Sequence, residues 1–266
     1  VARMLPLALN FDGGVDGDSQ RLASLLTAIA SGPGIISIEN TQVLHAGQAM
    51  DERYASVVTA IAKSQGWWAH LDGARLFNAA VSLGVPAATL ARPFDSVTVC
   101  LSKGLSCPAG SLVAGKRQFI EDARAMRRIL GGSMRQVGVL AAAGLVALTE
   151  GSAGMIARLA LDHETAAALY EGLADLAGVT VHRPARPSTN IVVFEVQIRG
   201  EGSDGPELRD EFVAACERRG VRLGTYPGGL LRAVTHSGFE ASDVDVVLGH
   251  IREALQELRS RPRLRP

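Results

Sequence analysis

The chain has 266 residues, 47% of them apolar, with 27 basic and 27 acidic residues and a formal net charge of zero. A chain of this size buries roughly 70–75% of its unfolded surface, and with no net field toward phosphate backbones or anionic membranes, neither nucleic acid nor a membrane surface is expected as a partner. Cys100, Cys107 and Cys216 lack zinc-type spacing, no apolar leader is read, and the most apolar run, Val137 to Leu148, is shorter than the ~20 residues of a bilayer-spanning helix, so a cytoplasmic, reducing setting is expected.

In chain order, the acidic stretch Asp12 to Asp18 reads as a turn, because neither starting aspartate is followed by the bidentate Glu that closes a calcium loop. Ile35 to Glu39 is a short apolar strand, and Glu52 to Lys63 repeats its apolar residues at helical spacing. Trp67 to Leu71 reads as a buried strand, Leu76 to Leu83 as a helix ending at Gly84, and Ser96 to Leu101 as the next strand. After an apolar run at Leu112 to Ala114, helices are expected over Phe119 to Leu130 and Val137 to Leu148, parted by Gly131-Gly132-Ser133. This alternation predicts βαβ units and a mostly parallel sheet.

The second half changes character. It predicts a helix over His163 to Leu176, a strand over Ile191 to Val196, a loop from Gly200 to Gly205 and a helix over Glu207 to Arg219. Short strands follow near Val221 to Leu223 and Leu230 to Val234. A last helix starts at Ser242, with Asp245 as its capping-box partner and Val244, Val247, Leu248, Ile251 and Leu255 on one face; the tail after Leu258 is expected to fray. A boundary near residue 155 divides the chain into a large domain, 1–154, and a smaller α+β domain, 155–266.

Two polar clusters stand where buried strands run out: His70-Leu71-Asp72-Gly73-Ala74-Arg75 and Ser102-Lys103-Gly104-Leu105. Ligands of open α/β sheets gather beyond the carboxyl ends of strands, and one crossover between these clusters brings a carboxylate and an amine toward one cleft. Only three basic residues are lysines. Lys63 closes an amphipathic helix and Lys116 precedes Arg117 in a solvated turn, which leaves Lys103 as an amine at a buried strand end. Burial there would lower its pKa, as a Schiff-base lysine requires. Asp72 suits a carboxylate that keeps a pyridine nitrogen protonated. Taken alone, Asp72 also suits a helix cap, and Lys103 a snorkelling surface lysine; spacing does not choose between these readings.

Five blocks extend the pattern: HLDGARLFNAAVSLGV (70–85), FDSVTVCLSKGL (94–105), GGSMRQVGVLAAAGLVAL (131–148), DHETAAAL (162–169) and LRAVTH (231–236). In these the chain resembles the low-specificity L-threonine aldolases, of the family that includes the aromatic amino acid β-eliminating lyases. The resemblance implies a pyridoxal 5′-phosphate enzyme of fold type I, the aspartate aminotransferase-like architecture. It implies that Lys103 forms the Schiff base, Asp72 meets the pyridine nitrogen, and Arg75 lies near the cofactor's phenolic oxygen and the substrate carboxylate. Arg232 would clamp that carboxylate from the small domain, a task suited to a planar guanidinium. Arg135 would approach the cofactor of a neighbouring subunit, in a homodimer or homotetramer. The implied reaction is retro-aldol cleavage of L-threonine, L-allo-threonine or a related β-hydroxy-α-amino acid to glycine and an aldehyde.

The pattern has departures. The family's Ser-Gly-Thr phosphate loop and ring-stacking histidine have no counterpart, and Val1 to Phe11 resembles a later stretch of the family, so the chain is expected to lack the N-terminal part of the fold. Gln42 stands where the family has a histidine near the substrate hydroxyl, and Gln is no base. His45, three residues on, is a substitute or a solvated loop residue. Ser106, Cys107 and Ser133 replace smaller or glycine residues. The alternatives within the fold are another lyase or a racemase on the same cofactor, or a non-catalytic homologue. Outside it, Gly110 to Arg117 nearly spells a P-loop, but Arg117 occupies the magnesium-binding hydroxyl position and Leu112 to Ala114 reads as a strand.

Overall fold

The computed structural model describes residues 33–149, 154–182, 189–198 and 205–261. The expectations for Val1 to Phe11, for Asp12 to Asp18 and for most of the Gly200 to Gly205 loop lie outside them.

One sheet is built from β1 (Ile35–Glu39), β2 (Trp68–Asp72), β3 (Ser96–Cys100) and β4 (Ser111–Gly115), in that order. The first three are parallel and β4 is antiparallel to β3. The crossovers are α1 (Glu52–Ser64), and α2 (Leu76–Leu83) with α3 (Ala87–Ala91). Beyond β4 come α4 (Arg117–Ile129) and α5 (Gly138–Ala147). Extended pairing of Ser111 to Gly115 with β3 removes the P-loop reading, since a paired strand turns its N–H groups to its neighbour rather than around a phosphate.

The second sheet is antiparallel, in the order β5 (Val179–His182), β6 (Ile191–Val196), β8 (Leu230–Val234), β7 (Gly224–Tyr226). Three helices accompany it: α6 (Met155–Ala174), α7 (Pro206–Glu217) and α8 (Val244–Ser260).

Several boundaries differ from expectation for physical reasons. The helix expected from His163 begins at Met155, because Gly154 enters it in extended conformation and Met155 to Asp162 are mostly good helix formers that extend it upstream. The strand expected at Val221 to Leu223 is displaced to Gly224–Tyr226. Gly220 takes a left-handed φ of 84° and the Val221 N–H donates to the Cys216 carbonyl at 3.0 Å, so residue 221 still belongs to the helix exit. The last helix is entered through the 3-10 turn Ala241–Asp243, which Glu240 and Asp243 close as a capping box. Ser242 is inside that turn and cannot serve as the cap. The helix also continues through Ser260, past the point where fraying was expected.

Two apolar cores form. Ile38, Tyr54, Val58, Leu71, Leu76 and Leu90 pack between the parallel strands and α1 to α3. Leu169, Leu173, Phe194, Phe212, Leu231, Ile251 and Leu255 fill the space between the antiparallel sheet and α6 to α8. Helix α6 joins the two. From its middle, His163 Nε2 meets Asn78 Nδ2 of α2 at 3.2 Å, and the Asp162 carbonyl accepts from Thr235 Oγ1 at 2.6 Å at the end of β8. Burial pushes His163 down to about 4.

Two stability outcomes follow. Phe212→Ala removes a fully buried ring and is expected to cost about 3–5 kcal/mol in chemical denaturation. His163 stays neutral in the folded chain down to about pH 4, whereas the unfolded chain protonates it near pH 6.5. Its contribution is therefore whole above pH 6.5 and lost as pH falls toward 4, by at most about 3 kcal/mol. Denaturation midpoints across that window are expected to fall less steeply for His163→Gln than for the unaltered protein.

Candidate active site

The register of the parallel strands sets the site. Glu39 pairs with Asp72, and Asp72 with Thr98, so three side-by-side positions end on one edge. Asn40 N–H extends the β1–β2 ladder by donating to the Asp72 carbonyl at 2.8 Å. Past Asp72 the chain crosses close to β3: a Cβ at Gly73 would lie 2.7 Å from the Thr98 carbonyl oxygen, so only glycine passes there. Asp72 Oδ1 accepts the Ala74 N–H at 3.1 Å, a local turn. Helix α2 begins after Arg75 with no side-chain cap, so Asp72 is not its capping residue.

After β3 the chain makes a tight turn. Ser106 N–H donates to the Lys103 carbonyl and Cys107 N–H to the Leu101 carbonyl, at 2.9 and 3.0 Å. Leu101, Leu105 and Cys107 anchor the turn in a small apolar cluster with Ala147. Lys103 is at its tip. The expected burial of the amine is not found: Lys103 is exposed, because the turn lifts it out of the strand end and into an open cleft.

That cleft has a volume of about 310 Å³. Arg75, Lys103 and Ser106 line one side, and Asn190, Thr235 and His236 the other. Ser106, held at a left-handed φ of 56°, exchanges a 2.8 Å hydroxyl–hydroxyl bond with Ser237 across the mouth. Asp72, Arg135 and Arg232 are not in the lining. Arg135 is exposed between α4 and α5, whereas Asp72 is half-buried at the end of β2.

The electrostatics join the separate positions. Burial pushes the Glu39 carboxyl above its ordinary range; the Val43 N–H, at 3.0 Å, pulls it back, Asp72 raises it further, and Arg75 and Lys103 oppose. One carboxyl group thus feels Asp72, Arg75 and Lys103 together. Arg75 is lowered, first by burial and then by repulsion from Arg232. Both guanidiniums carry a buried Nε without a hydrogen-bond partner, and among the described residues neither makes an ion pair. Two converging cations with unspent donors are a site for an anion.

Three residues without an assigned role in the sequence reading belong to this neighbourhood. Glu39 is one; its position at the carboxyl end of a parallel strand was the available signal. Tyr226 is another. Its hydroxyl donates to the Val43 carbonyl at 2.9 Å and accepts the Ala46 N–H at 3.3 Å, docking the turn after β1 on the second sheet. No local pattern announces such a contact. The third is His236, whose Nδ1 accepts the Gly238 N–H at 3.0 Å. In the neutral ring that leaves Nε2 as a donor, suited to holding an oxygen. Gln42 leads into a 3-10 turn, Val43–His45, and its backbone pairs with Gln48.

The donor set fits pyridoxal phosphate in part. The Lys103 amine and the Arg75 guanidinium line one cleft, with the Asp72 carboxylate at the neighbouring strand end and the Arg232 guanidinium outside its lining, while the chain contains no Ser-Gly-Thr stretch for the phosphate.

Comparison with known proteins gives the chain a family and a fold. The beta-eliminating lyase family model matches residues 8–199. Over 222 residues the chain is 40% identical to low-specificity L-threonine aldolase 1 of Arabidopsis thaliana, an alignment covering 83% of this chain and 59% of that protein. Over 221 residues it is 36% identical to the low specificity L-threonine aldolase of Escherichia coli O157:H7, covering 83% and 60%. The chain therefore spans about three-fifths of the length of these curated relatives. Among solved structures, Oryza sativa TDC with PLP and tryptamine superposes with a TM-score of 0.69 at 18% identity, over 97% of this chain and 56% of that one. At that identity the likeness shows the fold, which is fold type I with a mostly parallel first sheet. A match over more than half of its length, carried on that fold, establishes that this chain belongs to the beta-eliminating lyase family.

Proposed function

We propose that the chain carries the catalytic centre of a pyridoxal phosphate-dependent aldehyde-lyase, one that cleaves L-threonine, L-allo-threonine or a related β-hydroxy-α-amino acid to glycine and an aldehyde. The observation that carries the reading is a pair of guanidiniums with buried, unpartnered Nε donors: Arg75, which lines the Lys103 cleft, and Arg232, which is close enough to repel it. An α-carboxylate answers both. The names of the curated relatives, at 36–40% identity, supply the reaction class.

The residues divide the work. Lys103 provides the amine that holds the cofactor's aldehyde carbon, and exposure in the cleft leaves it open to that reaction. Asp72, at the end of β2, provides the carboxylate for the pyridine nitrogen. When bound, pyridoxal phosphate supplies an electron sink for carbon–carbon cleavage. Arg75 from the first sheet's edge and Arg232 from β8 would grip the substrate carboxylate from two sides, which fixes how the substrate lies in the cleft. His236 Nε2–H lines the same cleft as a donor to a substrate oxygen. Gln42 leaves proton removal from the β-hydroxyl to another group.

We further propose a homo-oligomer and a reducing, cytoplasmic setting. Helix α4 has no buried residue, and Ile129, Leu130, Val139, Leu145 and Val146 are 72–78% exposed, an apolar face that a second copy would cover. Cys100, Cys107 and Cys216 are free thiols. No helix among the described residues is long and apolar enough to cross a membrane.

With pyridoxal phosphate added, the protein is expected to absorb near the violet edge and to release glycine from threonine or another β-hydroxy amino acid, and Lys103→Ala should abolish both. Failure of every such amino acid to yield glycine sinks the aldolase reading. Arg232→Lys keeps the charge but loses the bidentate fork, and should raise KM about tenfold or more with a smaller change in kcat. Gel filtration at the mass of one chain would refute the oligomer.

A further inference from the structure

The Lys103 turn rests on a polar pair, buried Asn78 and half-buried His163, that the proposed chemistry does not use. A Cβ at Gly104 would lie 3.0 Å from Asn78 Oδ1 and 2.8 Å from Leu159 Cδ2, so the residue after Lys103 is pressed directly on these two side chains. Asn78 is 2% exposed, and it is one helical turn past Arg75 on α2. Its Nδ2 is 3.2 Å from His163 Nε2. His163 follows Leu159 by one turn on α6, so a single face of α6 supports the lysine turn twice, once by apolar contact and once through the amide. A neutral imidazole with Nε2 as acceptor orients that amide: Nδ2 points to the ring and Oδ1 to Gly104. An amide without that partner has no reason to keep this orientation, and a buried Asn without a partner carries a desolvation penalty.

We propose that His163 is a positioning residue, which through the Asn78 amide holds the Lys103–Gly104 turn so that the lysine amine faces the cleft. The adjacent residue does the same for the opposite wall: the Asp162 carbonyl takes the Thr235 hydroxyl, and Thr235 exchanges backbone and side-chain bonds with Asn190. Residues 162 and 163 thus set the spacing of both walls. The inference rests on the reading of Lys103 as the cofactor-holding amine.

The test uses pyridoxal 5′-phosphate as the probe, sodium borohydride to fix it on amines, and peptide mapping to read the label on each lysine. Lys63, Lys103 and Lys116 are all exposed, so accessibility alone predicts no preference. In the unaltered protein Lys103 is expected to label about tenfold more than either of the others. His163→Leu and Asn78→Ala should each reduce the Lys103 label about fivefold or more, with Lys63 and Lys116 unchanged. His163→Gln, whose side-chain oxygen can accept the Asn78 N–H, should retain the label within about twofold.

A folded His163→Leu that labels Lys103 normally would overturn the inference, as would a folded His163→Gln that loses as much as Leu. If His163→Leu does not fold, Asn78→Ala, which leaves α6 intact, decides in the same way. No preference for Lys103 in the unaltered protein would overturn the functional reading, and this inference with it.

Discussion

The parallel pairing of β1, β2 and β3 is the constraint on which the site depends. Their register places Glu39, Asp72 and Thr98 abreast, so the strand ends deliver two carboxyl groups and the start of the Lys103 turn to one edge of the sheet. A shift of one residue in any strand would send these side chains to the opposite face. The shift is resisted by the apolar residues on one face of the sheet and by Gly73, whose missing Cβ allows β2 to leave the sheet hard against β3.

The second sheet completes what the first begins. It brings Arg232 toward Arg75, the two guanidiniums repelling one another with donors unspent, and it brings His236 to the far wall. The site is therefore an electrostatic joint: positive groups from two sheets meet near a half-buried carboxyl, Glu39, whose proton affinity responds to Asp72, Arg75 and Lys103. Such an arrangement has a deficit of negative charge on the Arg75–Arg232 side, which is where a carboxylate is most strongly drawn.

Much of this was legible in the sequence, because it rests on local signals. Strand-end clusters such as HLDGAR and LSKGL carry both a period and a break, and Ile35–Glu39, Leu76–Leu83, Ile191–Val196 and Leu230–Val234 appear as read. The short helix Ala87–Ala91 and the strand Val179–His182 were not read, being too brief for a period to show. The exposure of Lys103 could not be read either. Apolar neighbours at a strand end suggest burial, but the tight turn from Leu101 to Cys107 carries the residue outward. Long-range pairings such as Asn78 with His163, 85 residues apart, or Tyr226 with Val43, 183 apart, leave no mark in spacing.

The hydroxyl bond between Ser106 and Ser237 gives the cleft an uneven stiffness. Below, the walls are tied by a helix and its buried contacts; above, one exposed neutral bond joins them, worth about 1 kcal/mol net. Widening the mouth therefore demands little, and any entering molecule with a hydroxyl or carboxylate can replace what is lost. The entrance yields while the floor stays fixed, so the geometry at the amine is insulated from the traffic above it.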